Sequence, residues 1–328
     1  MDKEIQALNK KSEDFSRKLR RVQAEISKVI VGQEDIVEKL LIALVSKGHV
    51  LIEGVPGLAK TLMIKTMSDC FDCSFVRLQF TPDVLPADIT GTKIYDHKLV
   101  KFTTLKGPIF ANFILADEIN RAPPKVQSAL LEAMQERQVS IQGETMQLPE
   151  PFMVMATQNP VENEGTYNLP EAQVDRFMFK VLIDYPKKED EVRIMDRFTE
   201  GLSVSASKIL SAKQIIEMQK FNQRIYADKK IKEYVADIVD ASRNPEQYGL
   251  DISGHIEYGA SPRASLWLIL AAKAHALLNG RGYVKPEDVK AVAYDVLRHR
   301  IILTFEAEAE QITSENVIEK ILERIKVP

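Results

Sequence analysis

The stretch "GVPGLAKT", Gly54 to Thr61, comes within one residue of the phosphate-binding loop pattern G-x-x-x-x-G-K-[ST]. The departure is Ala59, which stands directly before Lys60 where the pattern has glycine. An alanine leaves its backbone N–H available, so we expect it to be tolerated if the position is already helical, with a negative φ. The alternative is a glycine-proline turn that precedes a lysine by chance, and the neighbouring sequence has to decide between the two.

The segments on either side of the loop have the patterns of a strand and a helix. "HVLIEG" (49–54) is a short apolar run ending in glycine, which is typical of a buried parallel strand. "TLMIKTMSDCF" (61–71) places its apolar residues on one helical face. A phosphate loop requires this strand–loop–helix context, in which backbone N–H groups and the helix dipole attract phosphate. The residues expected to form the site are Gly54, Pro56, Gly57, Leu58, Ala59, Lys60, Thr61 and Leu62.

The expected ligand of this loop is ATP with Mg²⁺. Lys60 would reach the β and γ phosphates, and the Thr61 hydroxyl would ligate the metal. Further along, "FILADEIN" (113–120) is an apolar strand that runs into two adjacent carboxylates. In a phosphate-loop ATPase Asp117 would hold Mg²⁺, and Glu118 would orient and deprotonate the attacking water. Together the two motifs are much more specific than either one alone.

Three more apolar runs complete a predicted sheet of five strands: "FVRLQF" (75–80), "FMVMATQNP" (152–160) and "FMFKVLID" (177–184). Asn159 lies at the carboxyl end of the second of these runs, where open α/β sheets place their ligands, and the alternative is a turn residue that only ends the strand. Arg176 stands just before the last strand. An arginine there is usually a surface charge or part of a salt bridge, but one that completes another subunit's phosphate site is an arginine finger.

After "YPKKED" (185–190) the strand patterns stop and helical periodicities follow one another to the end of the chain. We therefore predict an α/β domain over residues 1–186, preceded within that range by an N-terminal helix. An all-helical second domain is predicted over residues 187–328.

Composition narrows the function classes. Among 328 residues 45% are apolar and 28% charged, with a net charge of −3, so no global basic field favours nucleic acid. The first residues, "MDKEIQALNKKSEDF", lack the apolar core of a signal peptide, and "LWLILAA" (266–272) is far shorter than the about 20 residues of a membrane helix. These patterns predict a cytoplasmic protein without membrane insertion. Cys70 and Cys73 could form a redox pair or half a zinc site, but two reduced thiols are the simpler interpretation.

Five segments, in this order, resemble the MoxR family of AAA+ ATPases: "GVPGLAKT", "LADEINRAPPKVQSALLEAMQERQV", "ATQNP", "LPEAQVDRF" and "GASPRA". The resemblance runs from about Ile30 to the C-terminus. It implies an AAA+ phosphate-loop module with a parallel five-stranded αβα core and a smaller all-helical lid. It also implies ATP and Mg²⁺ as cofactors, and self-assembly into rings, usually hexamers.

The resemblance assigns further roles. Val31 and Gly32, in "IVGQED", match the segment on the adenine side of the nucleotide. Asn159 matches the first sensor, which positions the attacking water. Arg176 matches the finger that acts on the next subunit's nucleotide, and Arg263, in "SPRA", matches the second sensor. Alanine before the loop lysine is frequent in this family, so the departure in the loop leaves nucleotide binding expected.

Two segments are similar to hairpin insertions of this branch of AAA+ proteins. One lies near residues 87–108 and the other at residues 137–150. In DNA-translocating relatives such hairpins carry basic tips. Here the tip of the second is Gln142, Gly143 and Glu144, whose acid would repel phosphate and argues against a nucleic-acid motor.

The expected function is ATP hydrolysis coupled to the remodelling or maturation of protein partners, in the manner of a chaperone. Relatives of this kind often work with von Willebrand factor A-type proteins. The alternatives are a motor subunit of a metal-chelatase-like complex, a nucleic-acid translocase and a non-hydrolysing switch. The switch is disfavoured because every residue that hydrolysis needs is present, namely Lys60, Thr61, Asp117, Glu118, Asn159 and Arg176.

Overall fold

The structure is a computed structural model that describes residues 2–54, 58–98, 100–158, 166–199 and 205–328. Its contacts divide the chain into two compact units. The sheet unit comprises Arg21–Arg176 and Val181–Ile216. The helical unit comprises Met1–Arg20, Phe177–Lys180 and Glu217–Pro328.

The strands, in chain order, are β1 (Val50–Gly54), β2 (Phe75–Gln79), β3 (Gly91–Asp96), β4 (Lys101–Lys106), β5 (Phe113–Asp117), β6 (Gln138–Ile141), β7 (Glu144–Gln147), β8 (Met153–Gln158), β9 (Phe179–Ile183), β10 (Ile256–Tyr258) and β11 (Ile302–Leu303). The helices are α1 (Asp2–Val29), α2 (Glu34–Val45), α3 (Lys60–Cys70), α4 (Pro86–Thr90), α5 (Pro124–Glu136), α6 (Glu171–Val174), α7 (Lys188–Thr199), α8 (Ala212–Asn222), α9 (Lys229–Ala241), α10 (Pro262–Leu278), α11 (Pro286–Leu297), α12 (Phe305–Ala309) and α13 (Ser314–Arg324).

A five-stranded sheet with the order β2-β5-β8-β1-β9 confirms the predicted α/β fold and all five predicted strands. The pairings of β2 with β5, β5 with β8, and β8 with β1 are parallel. β5 and β8 are apolar and buried along nearly their whole length, as expected for central strands covered on both faces. Because these strands run in one direction, the polar residues at their carboxyl ends meet at a single edge of the sheet.

Two antiparallel hairpins lie where insertions were expected. The first hairpin pairs β3 with β4, from Gly91 opposite Lys106 to Asp96 opposite Lys101. The second hairpin pairs β6 with β7, and Gln142 and Gly143 turn it with φ values of 46° and 85°. A two-residue turn with both φ angles positive matches the right-handed twist of the strands it joins.

The two units do not coincide with the predicted domain ranges. The contacts extend the sheet unit to Ile216, partly because the N–H groups of Ile209 and Leu210 both donate to Cys70 O, at 2.8 and 3.1 Å. The first twenty residues instead belong to the helical unit, where Phe15 packs edge-on against Phe221 at 5.2 Å. The boundary at residues 186 and 187 stays a prediction about folding domains.

The helical unit contains the second half of α8, from Glu217, together with α9–α13, and has an apolar core, as the periodicities predicted. It also contains a short antiparallel pair, β10 with β11, that the sequence did not indicate. Strands of three and two residues are too short to produce a period-two pattern.

Cys70 and Cys73 are free thiols, in agreement with the simpler of the interpretations of "CFDC". Burial raises the pKa of Cys70 to about 12 and that of Cys73 to about 11, so neither is a reactive thiolate at neutral pH. Among the described residues no helix combines the length and the apolar character that a bilayer crossing demands.

A buried carboxylate organises the start of α11. Asp288 is fully buried and accepts hydrogen bonds from Arg281 Nη1 and Nη2 at 2.7 and 2.5 Å, from His275 Nδ1 at 2.6 Å and from Lys285 N at 2.7 Å. Desolvation by burial would raise the pKa of Asp288, but these hydrogen bonds together outweigh it and lower the pKa. The ionised form is therefore the one that stabilises the fold.

We predict that Asp288→Asn lowers the free energy of unfolding by about 3–5 kcal/mol, because it leaves Arg281 without its charge partner. Asp14→Asn, which removes an exposed ion pair with Lys18, serves as the control and should cost less than about 1 kcal/mol. Since the folded-state pKa of Asp288 is lowered, its contribution is complete above about pH 4 and declines as the pH falls further. Urea titrations at several pH values measure this, and equal losses in the two variants would contradict it.

Candidate active site

The phosphate loop leads into α3, whose first residue is Lys60. Ala59 is the N-cap residue, with φ 53° and ψ 23°, in the left-handed region. The condition under which we expected alanine to be tolerated, a helical position with a negative φ, is therefore not met. In this conformation the Cβ of an L-residue crowds the following carbonyl oxygen, so alanine is strained where the usual glycine would not be.

The Nζ of Lys60 donates to Gly54 O, at the end of β1, at 2.6 Å. Burial lowers the pKa of this lysine and outweighs the opposite effect of three carboxylates, those of Asp117, Glu53 and Glu118. The ammonium group has thus lost part of its hydration within a site that also contains acids. Electrostatic attraction to an incoming phosphate is stronger at such a position than at an open surface.

Asp117 ends β5, and both of its carboxylate oxygens accept hydrogen bonds. Oδ1 accepts from Thr157 Oγ1 at 2.6 Å. Oδ2 accepts from Arg77 Nε at 3.0 Å and from Arg77 Nη2 at 2.6 Å. Arg77 lies on β2 and Thr157 on β8, the two neighbours of β5 in the sheet. Asp117 is therefore oriented from both sides, as metal-ligating carboxylates usually are.

Glu118 directly follows β5 in a left-handed conformation, with φ 56° and ψ 51°. Its N–H donates to Thr157 Oγ1 at 2.9 Å, so one hydroxyl contacts both adjacent acids. Its Oε2 accepts from Gln79 Nε2 at 2.9 Å and lies 3.1 Å from Arg121 Nε. Non-glycine residues with this strained backbone cluster at functional sites. The turn gives two neighbouring carboxylates different surroundings, which different roles require.

A cleft of about 500 Å³ lies at the carboxyl edge of the sheet, within the usual size range of small-molecule sites. Predicted site residues that line it are Gly54, Leu58, Ala59, Lys60, Thr61, Leu62, Asp117 and Glu118. Three further lining residues, Arg77, Thr157 and Gln158, were not predicted. The loop and the acidic pair, 55 residues apart in sequence, thus form one site.

The donor atoms in the cleft suit a hard divalent cation. Thr61 offers a hydroxyl oxygen and Asp117 a carboxylate, which are the oxygen ligands that Mg²⁺ prefers. Within the described residues no group of three or more His, Cys, Asp or Glu side chains could hold a metal without help. This fits Mg²⁺, which keeps several waters and is usually bound by one or two protein groups together with substrate phosphates.

Val31 and Gly32, predicted for the adenine side, lie in the turn between α1 and α2 rather than among the residues that line the cleft. Gly32 has φ 73°, and a Cβ there would approach Asp190 Oδ2 to 2.5 Å, so only glycine fits. The next residue, Gln33, is buried, and its Nε2 lies 3.4 Å from Leu58 O. This contact ties the segment to the phosphate loop.

Arg176 lies outside the cleft. It follows α6, donates from Nη1 to Leu131 O at 3.2 Å, and lines a separate cavity of about 260 Å³ together with Glu132 and Glu136 of α5. Its Nε is buried, with no hydrogen-bond partner in the part of the chain that the structure describes. Arg263 is exposed in the first turn of α10, in the helical unit. Pro56, Gly57 and Asn159 lie outside the described residues.

Arg77 and Thr157 are the functional residues that the sequence analysis missed. The arginine inside the strand "FVRLQF" was a weak signal, because β2 is an edge strand of the sheet and edge strands commonly carry charged residues. Thr157 carried no comparable signal, since threonine is common in strands. Its role depends on the register of β8 against β5, in which Ala116 lies opposite Ala156.

A parallel sheet with a loop lysine and paired acids at its carboxyl edge defines a phosphate-loop nucleotide site. Comparison with known proteins agrees with this class. Residues 49–179 match the family described as "ATPase family associated with various cellular activities (AAA)", and residues 250–321 match the AAA lid domain.

Three similar proteins identify the family to which this chain belongs. "Chaperone MoxR1" of Mycobacterium tuberculosis is 50% identical over 94% of this chain and 82% of its own length. "Protein MoxR" of Paracoccus denitrificans is 31% identical over 89% of this chain and 90% of its own. A solved candidate ATPase from Cytophaga hutchinsonii superposes with a TM-score of 0.92 at 48% identity, over 99% of both chains. The chain belongs to the MoxR family of AAA+ ATPases.

We predict that Ala59→Gly stabilises the protein by up to about 1 kcal/mol, because glycine removes the left-handed strain at a small cost in unfolded-state entropy. The control is Ala24→Gly on the exposed face of α1, where the same change should cost about 1 kcal/mol. Thermal and urea unfolding measure both. A destabilisation of equal size in the two variants would show that Ala59 has ordinary helical geometry in solution.

Proposed function

We propose that this chain hydrolyses ATP with Mg²⁺ at the interfaces of a ring, which we take to be a hexamer, and that hydrolysis drives the remodelling or maturation of protein partners. The observation that carries the proposal is the cleft in which Lys60, Thr61, Asp117 and Glu118 come together. Because Cys70 and Cys73 are free thiols, a reducing compartment is the natural setting, and we propose the cytoplasm.

The proposed roles follow from the chemistry of each group. Lys60 would bind the β and γ phosphates through its partly buried ammonium. Thr61 and Asp117 would hold Mg²⁺, which when bound neutralises phosphate charge. Glu118 would accept a hydrogen bond from the attacking water and take its proton. Its contacts with Gln79 and Arg121 both fall on Oε2, so they fix the carboxylate while it acts.

Arg176 is proposed as the finger that completes the nucleotide site of a neighbouring subunit. Two observations support this assignment: Arg176 does not line the cleft around Lys60, and it lines a separate cavity of about 260 Å³. A second copy of the chain is the source of phosphate that such a guanidinium would suit. Asn159 and Arg263 are proposed as the first and second sensors, and Val31 and Gly32 as the adenine-side contacts, on the resemblance to the family.

The client is proposed to be a protein, since a relative that is 50% identical is named a chaperone. A von Willebrand factor A-type protein is the kind of partner that the family resemblance favours. The first hairpin supports a client surface, because it exposes large apolar side chains, those of Ile94, Tyr95, Val100, Phe102 and Leu105. Exposed apolar groups in this number mark interaction sites more often than plain surface.

Nucleic-acid translocation has more support from the structure than from the sequence. Glu144, expected to repel phosphate, lies 3.6 Å from Lys93 Nζ and accepts from Thr104 Oγ1 at 2.9 Å, so a lysine balances its charge. The first hairpin carries further lysines at positions 98, 101 and 106. Stimulation of ATPase activity by single-stranded DNA, with a steep dependence on salt, would favour this alternative. A metal-chelatase-like motor remains the alternative within the protein-remodelling class.

We predict that Glu118→Gln keeps ATP affinity within about threefold of wild type but reduces turnover by at least about 100-fold, because the amide cannot accept the proton. Lys60→Ala should instead weaken binding by about 10- to 100-fold, the loss of one charge-assisted hydrogen bond. Lys65→Ala, an exposed lysine on the same helix, is the control and should change neither quantity. Calorimetric ATP titration and phosphate release measure these quantities, and retained turnover in Glu118→Gln would remove Glu118 as the base.

We predict that wild-type specific activity rises with protein concentration as the chain assembles, and that Arg176→Ala lowers activity in assembled samples by up to about 10³-fold. ATP affinity should stay within about threefold of wild type, because Arg176 is absent from the lining of its own cleft. Arg17→Ala, an exposed arginine on α1, is the control. Phosphate release and light scattering on the same samples test this, and full activity of an assembled Arg176→Ala protein would exclude the finger.

A further inference from the structure

Three consecutive residues at the end of α11 donate hydrogen bonds to main-chain carbonyls of residues 177–180. We call Arg298, His299 and Arg300 the carbonyl latch. His299 Nε2 donates to Phe177 O at 3.1 Å, and Arg300 Nη2 donates to the same oxygen at 2.6 Å. Arg300 Nη1 donates to Met178 O at 3.2 Å, and Arg298 Nη1 donates to Lys180 O at 2.9 Å. All of these contacts lie within the helical unit.

The latch is buried. His299 and Arg300 are 7% and 4% exposed, and Phe177, Met178 and Phe179 are inaccessible. Burial lowers the pKa of His299 well below its usual value, so the imidazole is neutral and donates from Nε2. Burying a guanidinium is unfavourable unless its N–H groups are used, and Arg300 uses them on three carbonyls, the third being Val296 O.

Two of the three carbonyls that the latch holds, those of Phe177 and Met178, precede β9, which begins at Phe179, and the third, that of Lys180, lies within β9. Buried carbonyls outside a strand need donors from elsewhere, and two donors on one oxygen fill both of its lone pairs. The latch thus supplies donors to the main chain at Phe177 and Met178, whose side chains are also buried.

The residue immediately before this segment is Arg176. We propose that the carbonyl latch positions Arg176 for catalysis, by fixing the main chain on its carboxyl side. The inference rests on the proposed function of Arg176 as the finger. Arg298, His299 and Arg300 are positioning residues, which touch neither nucleotide nor metal and act through the peptide bond between Arg176 and Phe177.

The side chain of Arg176 has few anchors of its own, which makes the main chain important. Among the described residues its side-chain hydrogen bond is the one to Leu131 O, at 3.2 Å. A long flexible side chain with so little support reaches a fixed place only if its Cα is fixed. A displacement of about 1 Å at a group that contacts the reacting phosphate can cost about 100-fold in rate. A small shift of the main chain next to Arg176 would therefore have a large effect on kcat.

The test is a double-mutant cycle on the full-length assembled protein. The latch variants are Arg300→Lys, which keeps the charge but loses the forked donor, and His299→Phe, which removes one donor to Phe177 O at similar size. In the wild-type background each should lower kcat by about 10-fold and leave ATP affinity within about twofold. In the Arg176→Ala background each should change kcat by less than about twofold, because the group they position is gone.

The matched control is Arg281→Lys. Arg281 is another partly buried arginine of the helical unit, whose guanidinium holds Asp288 and not residues 177–180. The Arg281→Lys variant should lower the melting temperature, as the latch variants should, but leave kcat within about twofold of the wild-type value. Hydrogen exchange adds a second readout: the amides of residues 177–180 should exchange faster in the latch variants and at the wild-type rate in Arg281→Lys.

The outcomes separate the two proposals. If Arg176→Ala alone has full activity, the finger is wrong and the latch proposal falls with it. If Arg176→Ala is inactive but the latch variants keep wild-type kcat, or lower it by the same factor in both backgrounds, the finger stands and the latch proposal is overturned. Should Arg300→Lys not fold, His299→Phe and Arg298→Gln decide the question by the same criteria.

Discussion

The parallel pairing of β5 with β8, in which Phe113 lies opposite Met153, is the constraint on which the site depends. Both strands are buried along nearly all their residues, so the pairing cannot slip without exposing apolar side chains or misplacing them. This register puts Thr157 beside Asp117 and Glu118, and the neighbouring pairing of β2 puts Arg77 on the same carboxylate. Hydrophobic burial in the strands therefore fixes the polar geometry at their ends.

Charged side chains of both signs line the cleft. Two cations, Lys60 and Arg77, and two carboxylates, Asp117 and Glu118, line the same small volume. Arg77 is bound to Oδ2 of Asp117, the carboxylate proposed to ligate Mg²⁺, and Thr157 is bound to Oδ1 of the same carboxylate. Residues of both neighbouring strands, β2 and β8, therefore contact the proposed metal ligand.

The carbonyl latch relates to the proposed finger as the strand pairing relates to the cleft: contacts elsewhere in the fold position a functional group. Catalysis at a subunit interface requires a guanidinium that is accurately placed but leaves its donors for a partner. Arg176 meets the second requirement in that its side chain has a single hydrogen bond among the described residues, from Nη1 to Leu131 O. The carbonyl latch meets the first requirement, accurate placement, because Arg298, His299 and Arg300 donate to main-chain carbonyls and not to Arg176. A main chain held by hydrogen bonds, at residues 177–180, therefore adjoins a side chain with few hydrogen bonds, that of Arg176.

By itself the sequence determined the five strands, the phosphate loop with its acidic pair, and the mainly helical C-terminal part, because these depend on local periodicity and on groups close together in the chain. It could not yield the left-handed backbone of Ala59, since alanine usually avoids it, or the neutralisation of Glu144 by Lys93, which lies 51 residues away. Thr157 and the latch were also out of reach, and Arg77 had only the weak signal of a charge inside an apolar run. Their partners are brought together by strand register and helix packing, and such contacts exist only once the chain has folded.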